Sequence, residues 1–149
     1  MSPAILFPII LVFFAGGMIA IQAPTNAILA KAGGSPVLAA LISFAVGTVG
    51  LLIVWLTTQP KPDQGAFVGL PWYAWLGGLY GAVFVAVAAY AAPRIGLASL
   101  ITIGVAGQIG MALLLDHVGA LGLAREPVST VKLFGAALVV AGVLLVRRG

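Results

Sequence analysis

Few side chains in this sequence can do chemistry, and most of them are amides or hydroxyls. Gln22 and Asn26 lie four residues apart, so any helix carrying them puts both on one face. Pro24 stands between them. It lacks an N–H and its ring presses on the carbonyl of Ala20, which predicts a break or hinge near Pro24. A freed carbonyl beside two carboxamides is a polar patch that can hydrogen-bond a small solute. The bland alternative is a wetted helix end. Gln108 sits amid Gly104, Gly107 and Gly110, and its amide has two donors and two acceptors to satisfy. Either a neighbouring helix or a solute in a central cavity would meet them. Ser43 and Thr48 are weaker candidates, because hydroxyls bond back to the preceding turn. Trp75, Tyr80 and Tyr90 offer rings that either wall a cavity or simply pack. Asp116-His117 suits proton transfer at a membrane edge, or forms a solvated turn.

Other chemistries have no residues to support them. The sequence has no Cys, hence no disulfide framework, thiolate metal site or cysteine nucleophile. One His cannot build a multi-histidine metal site. Ser99 and Ser129 are not set in a Gly-x-Ser-x-Gly elbow. No catalytic residue, metal or cofactor is expected, and the reading is not an enzyme.

These residues must be positioned by membrane-spanning helices. Of 149 residues, 62% are hydrophobic and 7% charged, where a soluble domain carries about 25% charged residues. Mean hydropathy is +1.23. A soluble enzyme, a nucleic-acid module and a disordered tail are all excluded. Strands are disfavoured because stretches such as Leu133 to Val146 are apolar on every face, without the alternation of a membrane barrel. The spans read as 3–30 with a break near Pro24, 36–57, 71–92, 97–115 and 128–146, in a single transmembrane domain over 1–149. Ser2-Pro3 and Ser35-Pro36 are cap-and-first-turn pairs. No Lys or Arg precedes Lys31, so the first segment reads as a retained span rather than a signal peptide. Trp72, Tyr73 and Trp75 open the third span, where aromatics favour the headgroup level. Ser43 and Gly47, Gly77 and Gly81, Ala106 and Gly110, and Gly135 and Gly142 pair small residues on single faces, which favours close helix packing.

The few charges are informative by their placement. The seven basic residues are separated by long apolar runs, as membrane flanks are, and do not gather into a nucleic-acid-binding face. Five spans put Lys61, Arg125 and Lys132 on one side of the membrane and Lys31, Arg94, Arg147 and Arg148 on the other. So small an imbalance barely specifies an orientation. An inverted pair of chains, ten helices in all, becomes possible, and inverted repeats are a common transporter architecture. A fixed, weakly biased orientation is the alternative.

In their order, the short motifs Gln22-Ala-Pro-Thr-Asn26, Gly34-Ser-Pro36, Ser43-Phe-Ala-Val-Gly-Thr48, Trp75-Leu-Gly-Gly78, Pro93-Arg-Ile-Gly96, Ala106-Gly-Gln108, Leu115-Asp-His117 and Gly135 to Val143 add a further signal. Together they make the chain resemble the YdcZ-like half-size branch of the drug/metabolite transporter superfamily, over nearly its whole length. The resemblance implies an all-α integral membrane fold of five helices per chain, working as an antiparallel dimer. Family-typical positions fall at Gln22, Asn26, Ser43, Gln108, Asp116 and His117. The related small multidrug resistance proteins couple protons through a first-span glutamate, and this first span has no acid.

The expectation is therefore a multi-pass protein of a bacterial inner membrane that moves a small organic solute by alternating access. Its partners would be membrane lipid, the solute and a second, inverted copy of itself, with no nucleic acid. The substrate would meet Gln22, Asn26, Ser43 and Gln108, with Trp75, Tyr80 and Tyr90 as walls and Pro24 as hinge. A deep acid or base is missing, so a neutral or weakly polar solute fits best. A non-transporting membrane subunit and one half of a heterodimeric transporter are the alternatives.

Overall fold

A computed structural model describes the backbone of residues 3–148 and the side chains of residues 7–148, so the expected Ser2 cap lies outside the described residues. The described chain forms α1 (Pro3–Gly33), α2 (Pro36–Thr58), a 3-10 turn (Trp72–Leu76), α3 (Gly77–Ile95), α4 (Leu97–Val118) and α5 (Thr130–Arg148). There is no strand among the described residues. Five helical segments are long and apolar enough to cross a bilayer. Helix is the expected answer, since a backbone in hydrocarbon must bond to itself. The chain divides into two compact units, one ending at Arg94 and one beginning at Ile95.

In the first unit, α1 continues through Pro8 and Pro24 to Gly33, where the sequence predicts an interruption near Pro24. One proline removes one hydrogen bond, and side-chain hydroxyls can help satisfy the carbonyls around it. The next residue, Thr25, bonds back to the preceding turn, its Oγ1 donating to Gln22 O at 2.8 Å and Ile21 O at 3.2 Å, while the carbonyl left free by Pro24 is that of Ala20. The helix ends where Gly34 takes φ +71, a conformation that suits a residue without Cβ. Ser35, extended at φ −148, starts α2 by accepting the Leu38 N–H at 3.2 Å, with Pro36 behind it in the first turn. The helix then runs to Thr58.

The third span opens as the 3-10 turn and ends three residues past the expected boundary, at Ile95. Pro93 does not stop it. Arg94 holds the last turn instead: Nη1 donates to the Tyr90 carbonyl, and the guanidinium lies 3.7 Å from the Tyr90 ring centroid. Such a contact combines a charge-assisted hydrogen bond with cation–π attraction. Val85, Ala88, Ala89 and Ala92 form a buried stripe on α3. The other buried apolar side chains of this unit are Ala23, Ala39 and Ala40. A core made mostly of alanine lets backbones approach closely, which drives packing where lipid removes the hydrophobic effect between helices.

The second unit is a hairpin of α4 and α5. Gly119 ends α4 at φ +67, and its N–H donates to Leu115 O at 2.9 Å. A Cβ there would lie 3.2 Å from Arg125 Cα, so both conformation and space call for glycine. The connection is strapped back on α4: Glu126 N donates to Asp116 O at 2.8 Å, and Arg125 Nε to His117 O at 3.2 Å. Ser129 then caps α5, accepting the Lys132 N–H at 3.2 Å, which moves the helix start from the expected 128 to Thr130.

Candidate functional site

The polar candidates of the first unit gather between α1 and α2. Gln22 and Ser43, both half-buried, line a pocket of about 190 Å³ with Phe44, Gly47, Thr48 and Leu51. Positions 43, 44, 47, 48 and 51 form one helical face, so α2 presents its two hydroxyls and a ring together. Phe44 is the aromatic wall that sequence reasoning missed, although its place on the Ser43 face was readable from the spacing.

Asn26 is one turn further along α1 and only 3% exposed. Its Nδ2 is a buried donor with no hydrogen-bond partner. Buried polar groups are overwhelmingly paired, and leaving a donor unpaired costs about 1–3 kcal/mol. Stability alone would not select an amide at this position. Asn26 does not line the Gln22–Ser43 pocket, and Pro24 is exposed.

The expected aromatic walls are elsewhere. Trp75 and Tyr80 are each 63% exposed and do not line the pocket. Trp75 packs at a tilt on Phe67, with 5.9 Å between ring centroids and 55° between ring planes. Tyr90 faces a different cleft, shared with Lys31 and Arg94.

In the second unit, Gln108 is exposed near the middle of α4. An amide at that depth is expensive against lipid, so a polar surface is needed to cover it. Asp116 is half-buried and His117 exposed at the α4 end, where both serve the loop through their carbonyls. No group of three or more His, Cys, Asp or Glu positioned for a metal occurs among the described residues.

Over residues 7–145 the chain matches the family described as "Putative inner membrane exporter, YdcZ", within the drug/metabolite transporters. It belongs to the YdcZ family. The match spans nearly all of the described residues, including both units and every candidate above. Comparisons with curated proteins and with solved structures returned no match. With its five apolar helices, this YdcZ-family chain is a multi-pass inner-membrane protein of a transporter family.

Proposed function

We propose that the protein is a secondary transporter that moves a small, neutral or weakly polar organic solute by alternating access. The observation that carries the reading is the unpartnered Asn26 Nδ2, buried one turn from Gln22 on α1. A donor kept at this cost suits a ligand or moving element that pairs with it during the cycle. The Gln22, Ser43 and Thr48 pocket beside it supplies further donors and acceptors, and Phe44 supplies an apolar wall. The pocket lining has no acid or base, which favours hydrogen bonding over ion pairing.

The working unit is an antiparallel homodimer. The near-balanced basic residues support it, and so do the unsatisfied requirements of the second unit. Gln108 is exposed at mid-span and no residue of α5 is buried. Gly110, Gly135 and Gly142 have open space where a Cβ would sit, so their faces can take the close approach of another helix. The dimer brings Gln108 to the substrate path. Pro24 and the glycines of α2 to α4 serve as hinges, and the family description favours export as the direction.

The test begins with purified protein and a panel of metabolites, read by thermal stabilisation, followed by counterflow of the best solute in proteoliposomes. Gln22→Ala and Gln108→Ala should each abolish stabilisation by the solute while dimers persist on crosslinking. Unchanged transport in both variants would sink the site. A chain that binds no solute and moves none would favour a non-transporting subunit.

A further inference from the structure

A second cleft, of about 510 Å³, lies in the first unit at the end of the helices opposite Asp63. It is lined by Lys31 from the last turn of α1, Tyr90 and Arg94 from the last turns of α3, and Gly34 and Pro36 at the start of α2. The remaining wall is apolar, with Ala27, Ala30 and Ile28 along α1.

Within its own unit the charge of this cleft is uncompensated. Asp63 is the one acid in residues 1–94, and it follows α2, whose 23 residues separate it from Pro36 by about 35 Å. The C-terminal ends of α1 and α3 bring partial negative charge and the N-terminal end of α2 partial positive charge. Those ends leave a net deficit of about half a charge, which two full cations outweigh. Arg94 is also held in place. Its stacking on Tyr90 and its bond to the Tyr90 carbonyl fix the guanidinium, and most of its donors remain open. Lys31 is exposed at the end of the apolar wall.

We propose that this cleft binds the phosphate of an anionic phospholipid headgroup. Lys31 and Arg94 pair with the phosphate oxygens, and the wall along Ala27, Ile28 and Ala30 receives the glycerol and the first methylenes. A phosphate on an amphiphile fits a cleft that is basic at one end and apolar along its side, at the level where the spans leave the membrane. A cleft of 510 Å³ is far larger than a phosphate alone. Basic pockets between membrane helices are a known solution for such headgroups.

The full chain in nanodiscs of phosphatidylcholine doped with phosphatidylglycerol provides the test, with retained phosphatidylglycerol counted by native mass spectrometry. Wild-type protein should retain it selectively. Lys31→Gln should lower its apparent affinity about 5-fold, and Lys31→Gln with Arg94→Gln by several-fold more. Lys31→Gln keeps the Arg94–Tyr90 contact, so it reports binding even if the double variant folds poorly. Arg94→Lys should retain lipid, and so should Lys61→Gln at the far end of the unit. Equal retention by wild type and Lys31→Gln would overturn the proposal. Equal loss in Lys61→Gln would also overturn it, by showing diffuse attraction. Displacement of the lipid by millimolar glycerol phosphate, with the same variant dependence, would overturn the lipid assignment in favour of a soluble organic phosphate.

Discussion

Nδ1 of His117 accepts the backbone N–H of Val128 at 3.3 Å, across eleven residues of sequence. The bond uses the lone pair of Nδ1, so the imidazole braces the α4–α5 connection. This argues for a strut where the sequence also allowed a proton carrier. Asn places an oxygen near the position of Nδ1. His117→Asn is therefore expected to keep both the loop and the pH profile of transport, while His117→Ala loses about 0.5–1 kcal/mol of stability. Thermal unfolding and transport against pH check this. A flattened pH profile in His117→Asn would return His117 to proton coupling.

Asn26 separates stability from function. Its Nδ2 is buried without a partner, so an apolar residue of similar volume removes an unsatisfied donor. Asn26→Val is expected to leave stability unchanged or raise it by up to about 1–3 kcal/mol, and to abolish transport. Residues kept for function at a cost in stability behave in this way. A strong fall in stability would instead make Asn26 a structural amide of the α1 packing.

How far these residues could be read from sequence depended on the range of the forces that place them. The five helices were legible because each is a long apolar run. Ser35-Pro36 was legible because a cap is decided within a few residues: Ser35 Oγ and the Leu38 N–H are three positions apart. The passage of helix through Pro24 and Pro93 was not. Whether one lost hydrogen bond ends a helix depends on the packing around it, which no local pattern encodes. The Gln22–Ser43 pairing needed the packing of α1 on α2, although both residues were already suspected. The role of His117 rests on a contact eleven residues away that no local pattern encodes. Gln108 was recognised by type and depth, but what covers it depends on surfaces outside its own helix pair.

Glu126 carries a pH-dependent contact. Lys132 Nζ donates to Glu126 Oε2 at 2.9 Å, and this hydrogen bond, with the lysine charge behind it, holds the Glu126 carboxyl below the usual carboxylate range. A group whose pKa is depressed on folding contributes stability above its unfolded value and loses it as pH falls through its folded one. The pair is solvent-exposed, so its contribution is small and sensitive to salt. Wild type should melt slightly above Glu126→Gln at neutral pH. The difference should close as pH drops below about 4, and also in high salt at neutral pH. A gap that persists in acid would show that the glutamine acts by some other route.

The proposed antiparallel pair makes a demand on orientation that charge can manipulate. Wild type places Lys61, Arg125 and Lys132 against Lys31, Arg94, Arg147 and Arg148. Reporters fused after Gly149 should therefore be active on both sides of the membrane. Arg147→Gln and Arg148→Gln combined with Gln59→Lys and Gln64→Lys leaves two basic residues facing five, which should drive the C-terminus outward. Lys61→Gln with Arg125→Gln leaves one facing four, which should hold it inside. Each oriented variant alone would supply only one orientation and should lose transport. Co-expression of the two supplies both orientations and should restore it, because none of the altered residues lines the Gln22–Ser43 pocket. A wild-type chain with its C-terminus on one side only, or a single oriented variant that transports fully, would defeat the inverted homodimer. A heterologous partner would then have to cover Gln108.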